Sequence, residues 1–325
     1  MAARIQLLPV LESGEETLIG GQAVMEGVMM RAPHSYSIAV RKPDGTVVTE
    51  TKPLAKVSEK YPLFKYPLLR GLGTLGQAMS LGIKSLQFSA NVAMEEEQAK
   101  QGKREPGKKE KPAFSNALMG IQLAVSLAFF IFAYKFVPLW LTTQIGGTFE
   151  QVKGQVAFNV TDGIIRILIF LGFLFLMSRW KDIRRVFEYH GAEHRVVFNF
   201  ESGKPVTVDN AQQFVTWHPR CGTSFLITVM IISMAIYTVL PFEGFAAKFA
   251  SRILLLPVIA GVSYEVIRFA AKRRGSLLSL LTSPGLWLQR ITTQPPSNDQ
   301  TEIAIIALDG AMSLEKSQGG QAVIA

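Results

Sequence analysis

Four long apolar stretches constrain the fold of this chain more than any other feature of its sequence. They lie near residues 117–140, 163–178, 223–240 and 252–271. A helix needs roughly 20 apolar residues to cross the hydrocarbon core of a bilayer, because each residue advances it by only about 1.5 Å. A mean hydropathy of +0.24 agrees with burial in lipid. The sequence therefore predicts a mainly α-helical integral membrane protein with about four transmembrane helices.

The loops between these stretches predict the orientation of the spans. Of the formal net charge of +9, most falls before the first stretch, between the second and third, and after the fourth. The other two loops, 141–162 and 241–251, carry one lysine each. Because basic loops stay in the cytoplasm, both termini and the loop 179–222 are expected there. The partner implied is the lipid bilayer, and no nucleic-acid motif is visible. Protein partners and oligomeric state are not indicated.

The first domain, residues 1–60, is predicted to be a cytoplasmic segment with a small β-hairpin. Residues 37–41 and 46–49 alternate like strands, and Pro43-Asp44-Gly45 between them is a turn sequence. Upstream, Glu26 lies inside the apolar run 19–31, where a carboxylate is unexpected without a partner. We interpret Glu26 as the partner of a cation such as Arg31 or, alternatively, as a catalytic group.

The remaining segments are divided by composition. Residues 61–94 have helical apolar spacing but lack a full-length uncharged run, which favours an interfacial or re-entrant helix over an ordinary core helix. Residues 95–112 form a charged linker, and 113–275 form the four-span bundle. We expect the second span to continue without a break into the next segment as one long helix. Residues 276–325 are predicted to be C-terminal surface helices, opened by Asp299 and Glu302, and a tail from Ser313.

The candidate site lies in the loop 179–222. Three of the four histidines and the only cysteine fall there, namely His190, His194, His218 and Cys221. Imidazole and thiolate are the ligands that zinc-like ions prefer. Residues 190–194 also read H-x-x-E-H, the inverted zinc-protease motif. On a helix, positions 190 and 194 point the same way, so their two imidazoles can coordinate one ion. Glu193 could then act as the general base for a water bound to that ion.

The completing ligands are left open by the sequence. A third ligand comes from His218, Cys221 or Glu265, the last a carboxylate in the fourth apolar stretch, where ionisable groups are costly and often functional. Pairing with Arg268 is the alternative role for Glu265. A lone cysteine excludes an internal disulfide and, in the cytoplasm, remains available as a thiolate. The histidines could instead be ordinary buried side chains that only form hydrogen bonds.

Three strings carry a resemblance to a known family. They are GGQAVMEGVMMR at 20–31, YHGAEHRVV at 189–197 and HPRCGTSF at 218–225. Together they resemble the uncharacterised bacterial membrane-protein family typified by YqhQ. The resemblance covers about residues 20–308 and implies a multi-pass protein of the bacterial cytoplasmic (inner) membrane. It also implies a metal-dependent enzyme of undefined reaction, with Glu26, Glu193, His190, His194, His218 and Cys221 as the matching positions.

Two functions follow as hypotheses. The first is a membrane-embedded, cytoplasm-facing enzyme, possibly a hydrolase, with a divalent metal, zinc being the best fit. His190 and His194 bind it and Glu193 acts as general base. The second is a non-enzymatic scaffold in which His190, His194, His218 and Cys221 close a structural metal site. A transporter is disfavoured because the four predicted spans show few buried charges and no repeated halves.

Overall fold

The computed structural model describes residues 19–55, 57–100, 116–218, 221–272 and 283–317. Its strands are β1 (Gly20–Val24), β2 (Gly27–Arg31), β3 (Ser35–Arg41) and β4 (Val47–Pro53). Its first helices are α1 (Val57–Lys60), α2 (Leu69–Lys100), α3 (Asn116–Ile131), α4 (Val137–Thr148), α5 (Gln155–Met177) and α6 (Lys181–Glu201). The others are α7 (Val208–Gln212), α8 (Gly222–Val239), α9 (Phe245–Leu254), α10 (Leu256–Lys272), α11 (Ser283–Thr292) and α12 (Asn298–Ser317). A π-helical turn, Phe132–Phe136, joins α3 to α4.

The N-terminal strands form one antiparallel sheet in the order β1-β2-β3-β4. This confirms the predicted hairpin, which is β3 and β4. In its turn Gly45 has a φ of +87°, and Asp44 accepts a hydrogen bond of 2.8 Å from the backbone N–H of Thr46. The hairpin of β1 and β2 was not predicted. Since residues 27–30 of β2 are all apolar, the strand lacks the alternation by which a half-buried strand is recognised.

Both faces of this sheet are buried, which explains the unbroken apolar run of β2. Side chains alternate across a strand, so Val28 and Met30 face one side while Met29 faces the other. The first side forms a core with α6 and α12, and the second packs against Leu81 and Val92 of α2. The N-terminal region is therefore the middle layer of a three-layer unit, rather than an isolated β element.

Helix α2 replaces the predicted interfacial segment and extends beyond it. It continues to Lys100, six residues into the predicted linker 95–112, and residues 101–112 lie outside the described part. One side of α2 covers the sheet through Leu81. Met79 and Leu86, elsewhere on the helix, are exposed. Part of α2 is thus a core helix of the three-layer unit.

Three helical segments are long and apolar enough to cross a membrane, and a fourth qualifies if a bent pair counts as one span. The three are Gly120–Thr148, Gln155–Met177 and Gly222–Val239. The bent pair is Phe245–Leu254 with Leu256–Phe269, whose axes differ by 51°. These segments overlap the four predicted stretches. The prediction that the second span continues into the histidine-bearing segment is wrong, because α5 ends at Met177 and Trp180 adopts an extended conformation before α6 begins.

The C-terminal helices differ most from the prediction. Helix α12 is opened by a capping box of Ser297 and Gln300, not by Asp299 and Glu302. It runs to Ser317, so the described residues from Ser313 onward are helical rather than a tail. Its apolar side fills the core below the sheet, and α11 packs against α8. Residues 273–282 and 318–325, also predicted as C-terminal helix and tail, lie outside the described residues.

The connection between α11 and α12 crosses α6 at one glycine. The backbone N–H of Gln294 donates to the carbonyl of Phe187 at 2.9 Å. A Cβ atom added to Gly191 would lie 2.0 Å from the carbonyl oxygen of Gln294. Only glycine therefore allows this approach, and Gly191 lies directly beside His190.

We expect Gly191→Ala to destabilise the protein by about 1–3 kcal/mol, because the helix and a backbone carbonyl must separate. The measurement is the thermal unfolding midpoint of the purified protein in detergent. Gly76→Ala is the matched control, since Gly76 lies inside α2 and a Cβ there meets nothing within 4 Å. It should be neutral or stabilising, because alanine is favoured over glycine in helices by about 1 kcal/mol. Equal midpoints for both variants would contradict the close approach.

Candidate metal centre

The candidate centre lies where α6 meets the beginning of α8 and the end of α11. Helix α6 buries Tyr189, Ala192 and Val196 in the core shared with the sheet and α12. This packing fixes the rotation of α6, so that its neighbouring face presents His190 and His194 one turn apart. The ring centroids of the two histidines are 4.4 Å apart. Cys221 is the residue that caps the N-terminus of α8.

Three possible ligand atoms meet at this junction. One atom each from His190, His194 and Cys221 lies within 4.8 Å of the other two. Cys221 Sγ is 3.2 Å from His190 Nε2. Two imidazole nitrogens and one thiolate are a set that suits zinc-like ions. The cluster thus has the composition and the compactness that a single ion requires.

Backbone carbonyls orient both imidazoles. His190 Nδ1 donates to the carbonyl of Thr292 at 2.8 Å, and His194 Nδ1 donates to the carbonyl of Thr216. An imidazole whose Nδ1 carries the donated proton keeps Nε2 unprotonated and able to bind an ion. Histidine ligands are commonly fixed in this way by an acceptor on their second nitrogen. The sequence carries no signal for these carbonyls, because they come from the backbone of distant segments.

The thiol of Cys221 lies in a polar environment at a helix terminus. Its sulfur is 3.1 Å from the hydroxyl of Thr223 and accepts from the backbone N–H of Thr223 at 3.5 Å. The sulfur therefore lies at the positive end of the α8 helix dipole. Cys221 is half-buried.

His218 lies beside this cluster but is held by other groups. Its ring is 5.7 Å from that of His194 and 4.5 Å from that of Phe198, and its Nε2 is 3.4 Å from Glu201 Oε2. Gln289 accepts from its backbone N–H at 2.7 Å and donates to its carbonyl at 2.8 Å. Burial lowers the pKa of His194 and of His218 to about 4, so both are neutral at pH 7. The described structure does not bring the ring of His218 into the three-ligand cluster.

Glu193 is buried on the side of α6 that faces β1. It is 6% exposed and accepts a hydrogen bond from the backbone N–H of Gly21. Burial raises the pKa of Glu193, and the hydrogen bond from Gly21 and the positive charge of Arg31 oppose that rise. A Cβ on Gly21 would lie 2.8 Å from Glu193 Cγ, so this glycine allows β1 to contact the carboxylate side chain. Gly21 is a contributor that the sequence analysis did not identify as part of the site.

Glu26 is placed against the histidine helix but outside the cluster. It occupies the turn between β1 and β2 with a φ of +53°. Its carboxylate pairs with Arg185, whose Nη2 is 2.6 Å away, and accepts a hydrogen bond from Tyr189 at 3.3 Å. The cation is therefore Arg185 of α6 and not Arg31, the partner suggested by the sequence. Through these contacts, Glu26 links the sheet to α6.

Glu265 is also engaged away from the cluster. It accepts from Arg70 Nε at 2.7 Å and from the backbone N–H of Leu68 at 3.2 Å. This ion pair joins α10 to the beginning of α2. The structure therefore does not bring Glu265 to the two histidines, and its main partner is Arg70 rather than Arg268.

Comparison with known proteins places the chain in a family. Residues 66–314 match the protein family of unknown function DUF1385. The uncharacterized protein YqhQ of Bacillus subtilis (strain 168) is 34% identical over 301 residues, which cover 91% of this chain and 92% of that protein. The chain belongs to this family. No solved structure matches it.

Membership in the DUF1385 family confirms the resemblance drawn from the three sequence strings. The matched region contains all three cluster residues and the carbonyls that orient them. The relative extends the likeness over nearly the whole chain. Neither comparison assigns an activity to the chain, so any chemistry of the centre must be argued from its geometry.

The geometry predicts that three variants lose metal and one keeps it. His190→Ala, His194→Ala and Cys221→Ala should each lose bound ion, because two remaining ligands hold it poorly. His218→Ala should retain most of it, since His218 is outside the cluster. The measurement is metal content per protein by elemental mass spectrometry after purification without chelator. Full metal occupancy in the first three variants, or its complete loss in His218→Ala, would contradict the assigned ligand set.

Proposed function

We propose that the chain is a metal-dependent membrane enzyme, a hydrolase by reaction class, whose ion is held by His190, His194 and Cys221. One observation carries this proposal: three ligand atoms converge, and a fourth protein ligand is not among the described residues of the cluster. Structural zinc sites are closed by four protein ligands, whereas catalytic sites use three and keep one position open. An open position favours catalysis over a purely structural role.

Water activation is the chemistry that suits this arrangement. A bound divalent ion lowers the pKa of a coordinated water towards neutrality. The protein residues hold the imidazoles in the required tautomer, through Thr216 and Thr292, and supply a buried carboxyl group. Glu193 lies three positions after His190 on α6, with its carboxyl group buried on the side that faces β1, and we assign it the role of accepting and returning a proton.

The scaffold with a structural metal is the competing hypothesis. It requires His218 as fourth ligand, together with the other three. His218 Nε2 is instead 3.4 Å from Glu201, and the His218 backbone is tied to Gln289. The scaffold hypothesis thus needs a rearrangement of His218 that the enzyme hypothesis does not need.

We also propose the location of the centre relative to the membrane. The three or four apolar helices support insertion into a bilayer, and the bacterial relative supports the cytoplasmic membrane. Basic residues gather on the side of the bundle where α6 and Cys221 lie, which supports a cytoplasmic position for the centre and both termini. A cytoplasmic position also keeps the thiol of Cys221 reduced.

The enzyme hypothesis predicts that Glu193→Gln keeps the metal but loses function. The substitution preserves shape while removing the basic carboxylate, and loss of a general base typically reduces a rate by about 10²–10⁴-fold. The readout is complementation of the phenotype of a deletion strain, together with metal content of the purified variant. His190→Ala should lose both metal and complementation.

Glu188→Gln is the matched control for that experiment. Glu188 lies on the same helix and contacts Gln300 at 3.0 Å, away from the three ligands. It should keep metal and complement fully. A Glu193→Gln variant that complements as well as wild type, beside a failing His190→Ala, would rule out the base role and favour the structural metal.

The proposed orientation predicts which loops are reachable from outside the cell. Single cysteines are placed at Asp209, in α7, and at Gln151, between α4 and α5, in a Cys221→Ser background. A membrane-impermeant maleimide should label position 151 in intact cells and position 209 only after permeabilisation. Labelling of position 209 in intact cells would overturn the orientation.

A further inference from the structure

A second group of polar side chains lies inside the apolar helices themselves. It consists of Lys135 in the π-helical turn, Asp162 and Arg166 in α5, and Arg252 in α9, and we call it the span cluster. Each of the four is at most 5% exposed. Charged side chains at such positions in membrane helices are expensive, and they mark binding or transport functions more often than structural ones.

The charges of the span cluster do not balance. Asp162 is the only carboxylate among its members, and it pairs with Arg166 and, at 3.3 Å, with Arg252. Lys135 forms no hydrogen bond or ion pair with any residue of the described part of the chain. Three basic side chains therefore share a single carboxylate among the members of the span cluster. Desolvated charge of this kind is costly unless a partner is supplied.

Hydrogen-bonding groups in the span cluster are also left unused. Arg166 Nη1 donates to Ser233 at 2.9 Å, and Arg252 Nη1 donates to the carbonyl of Lys248 at 3.0 Å. The Nε atoms of both arginines are buried without a partner in the described structure. Among the described residues, Asp162 Oδ1 is also buried without a partner, so two donors and one acceptor are left over, and at least one N–H group has room for an acceptor from outside the chain.

The backbone is irregular at the two places that supply the outer cations. Lys135 lies in the only π-helical turn of the described residues, and Arg252 lies just before the 51° bend between α9 and α10. Phe136 of the π-helical turn packs against Phe245 and Phe249 of α9, which brings the two irregular segments together. Such irregularities within membrane helices occur where they are enclosed by protein or line a cavity, and π-turns are frequent at functional sites.

We propose that the span cluster binds an anionic group of the phosphate class, with Lys135, Arg166 and Arg252 as its ligands. Arginine donors and a lysine ammonium are the side chains that recognise phosphate. The group can be the headgroup of an anionic phospholipid that enters between the apolar helices, or inorganic phosphate. Both supply the missing negative charge and acceptors for the unused Nε–H groups.

This site is separate from the candidate metal centre. Cys221 precedes α8, and Ser233, which contacts Arg166, lies in the second half of the same helix. At 1.5 Å per residue the two positions are about 18 Å apart along the axis. Loss of ligand binding at the span cluster can therefore be measured independently of metal content.

The test uses the full-length protein, purified and delipidated in detergent, and follows its thermal unfolding midpoint. One arm titrates inorganic phosphate against chloride at constant ionic strength, and the other adds phosphatidic acid against phosphatidylcholine. We expect one arm to raise the midpoint of wild type. A response to inorganic phosphate identifies a free anion site, and a response to phosphatidic acid alone identifies a lipid headgroup site.

Lys135→Met is the informative variant, and Lys153→Met is its matched control. Lys135→Met removes one of the charges that would pair with the bound anion. The ligand concentration that gives half of the midpoint shift should therefore rise on the order of 30-fold or more. Without ligand, Lys135→Met should be at least as stable as wild type, because an unpaired buried charge is gone. Lys153 is exposed and pairs with Glu150, so its variant should respond as wild type does.

Two results would overturn the proposal. One is a wild-type protein that responds to neither ligand and co-purifies with no anionic lipid by native mass spectrometry. The other is a Lys135→Met protein whose ligand response equals that of wild type. If Lys135→Met fails to fold, Lys135→Gln and Arg252→Gln provide the same comparison with polar side chains.

Discussion

Apolar packing around Ala192 and Val196 of α6 fixes the position of both candidate ligands on that helix. These side chains are fully buried in a core shared with β2, β3 and α12. Burial of a side chain of the size of valine contributes about 1.5–3 kcal/mol, so a rotation of α6 that exposed Val196 would cost about that much. The histidines occupy the neighbouring face and therefore have one direction in which to point. Because α12 is the last described helix, the chain closes this core only when its C-terminal part is in place.

The candidate centre depends on the same assembly through its hydrogen bonds. The carbonyls that orient His190 and His194 belong to Thr292, at the end of α11, and to Thr216, in the loop before α8. These residues lie 102 and 22 positions away from their histidines, so the tautomers are set only in the folded chain. A preformed site of this kind couples ion binding to folding, because the unfolded chain lacks the arrangement. The close contact at Gly191 also supports this arrangement, because it holds the α11–α12 connection, which follows Thr292, against α6.

The sequence predicted the parts of this structure that follow from local patterns. Apolar stretches of sufficient length identified the long helices, and Pro43-Asp44-Gly45 identified one hairpin, since both signals are contained in a few consecutive residues. The spacing of His190 and His194 indicated a shared helix face for the same reason. The role of α12 was missed, because an amphipathic helix has the same pattern on a surface as in a core below a sheet. The sequence could not show that Cys221, and not Glu265, lies beside the two histidines, because the carboxylate of Glu265 is bound by Arg70 in a contact across 195 residues.

The charges at the candidate centre give its two carboxylates different roles. His194 is neutral at pH 7, and neutral imidazole is the form that binds an ion, so a divalent ion with two imidazoles and one thiolate would retain about one unit of positive charge. Glu26 forms a solvent-accessible ion pair with Arg185, which neutralises its negative charge. Glu193 is different, because it is buried and its pKa is raised in the absence of an ion. An added positive charge nearby lowers the pKa of a carboxyl group. An ion bound nearby would therefore lower the proton affinity of Glu193, and this is the property that the proposed role as general base requires.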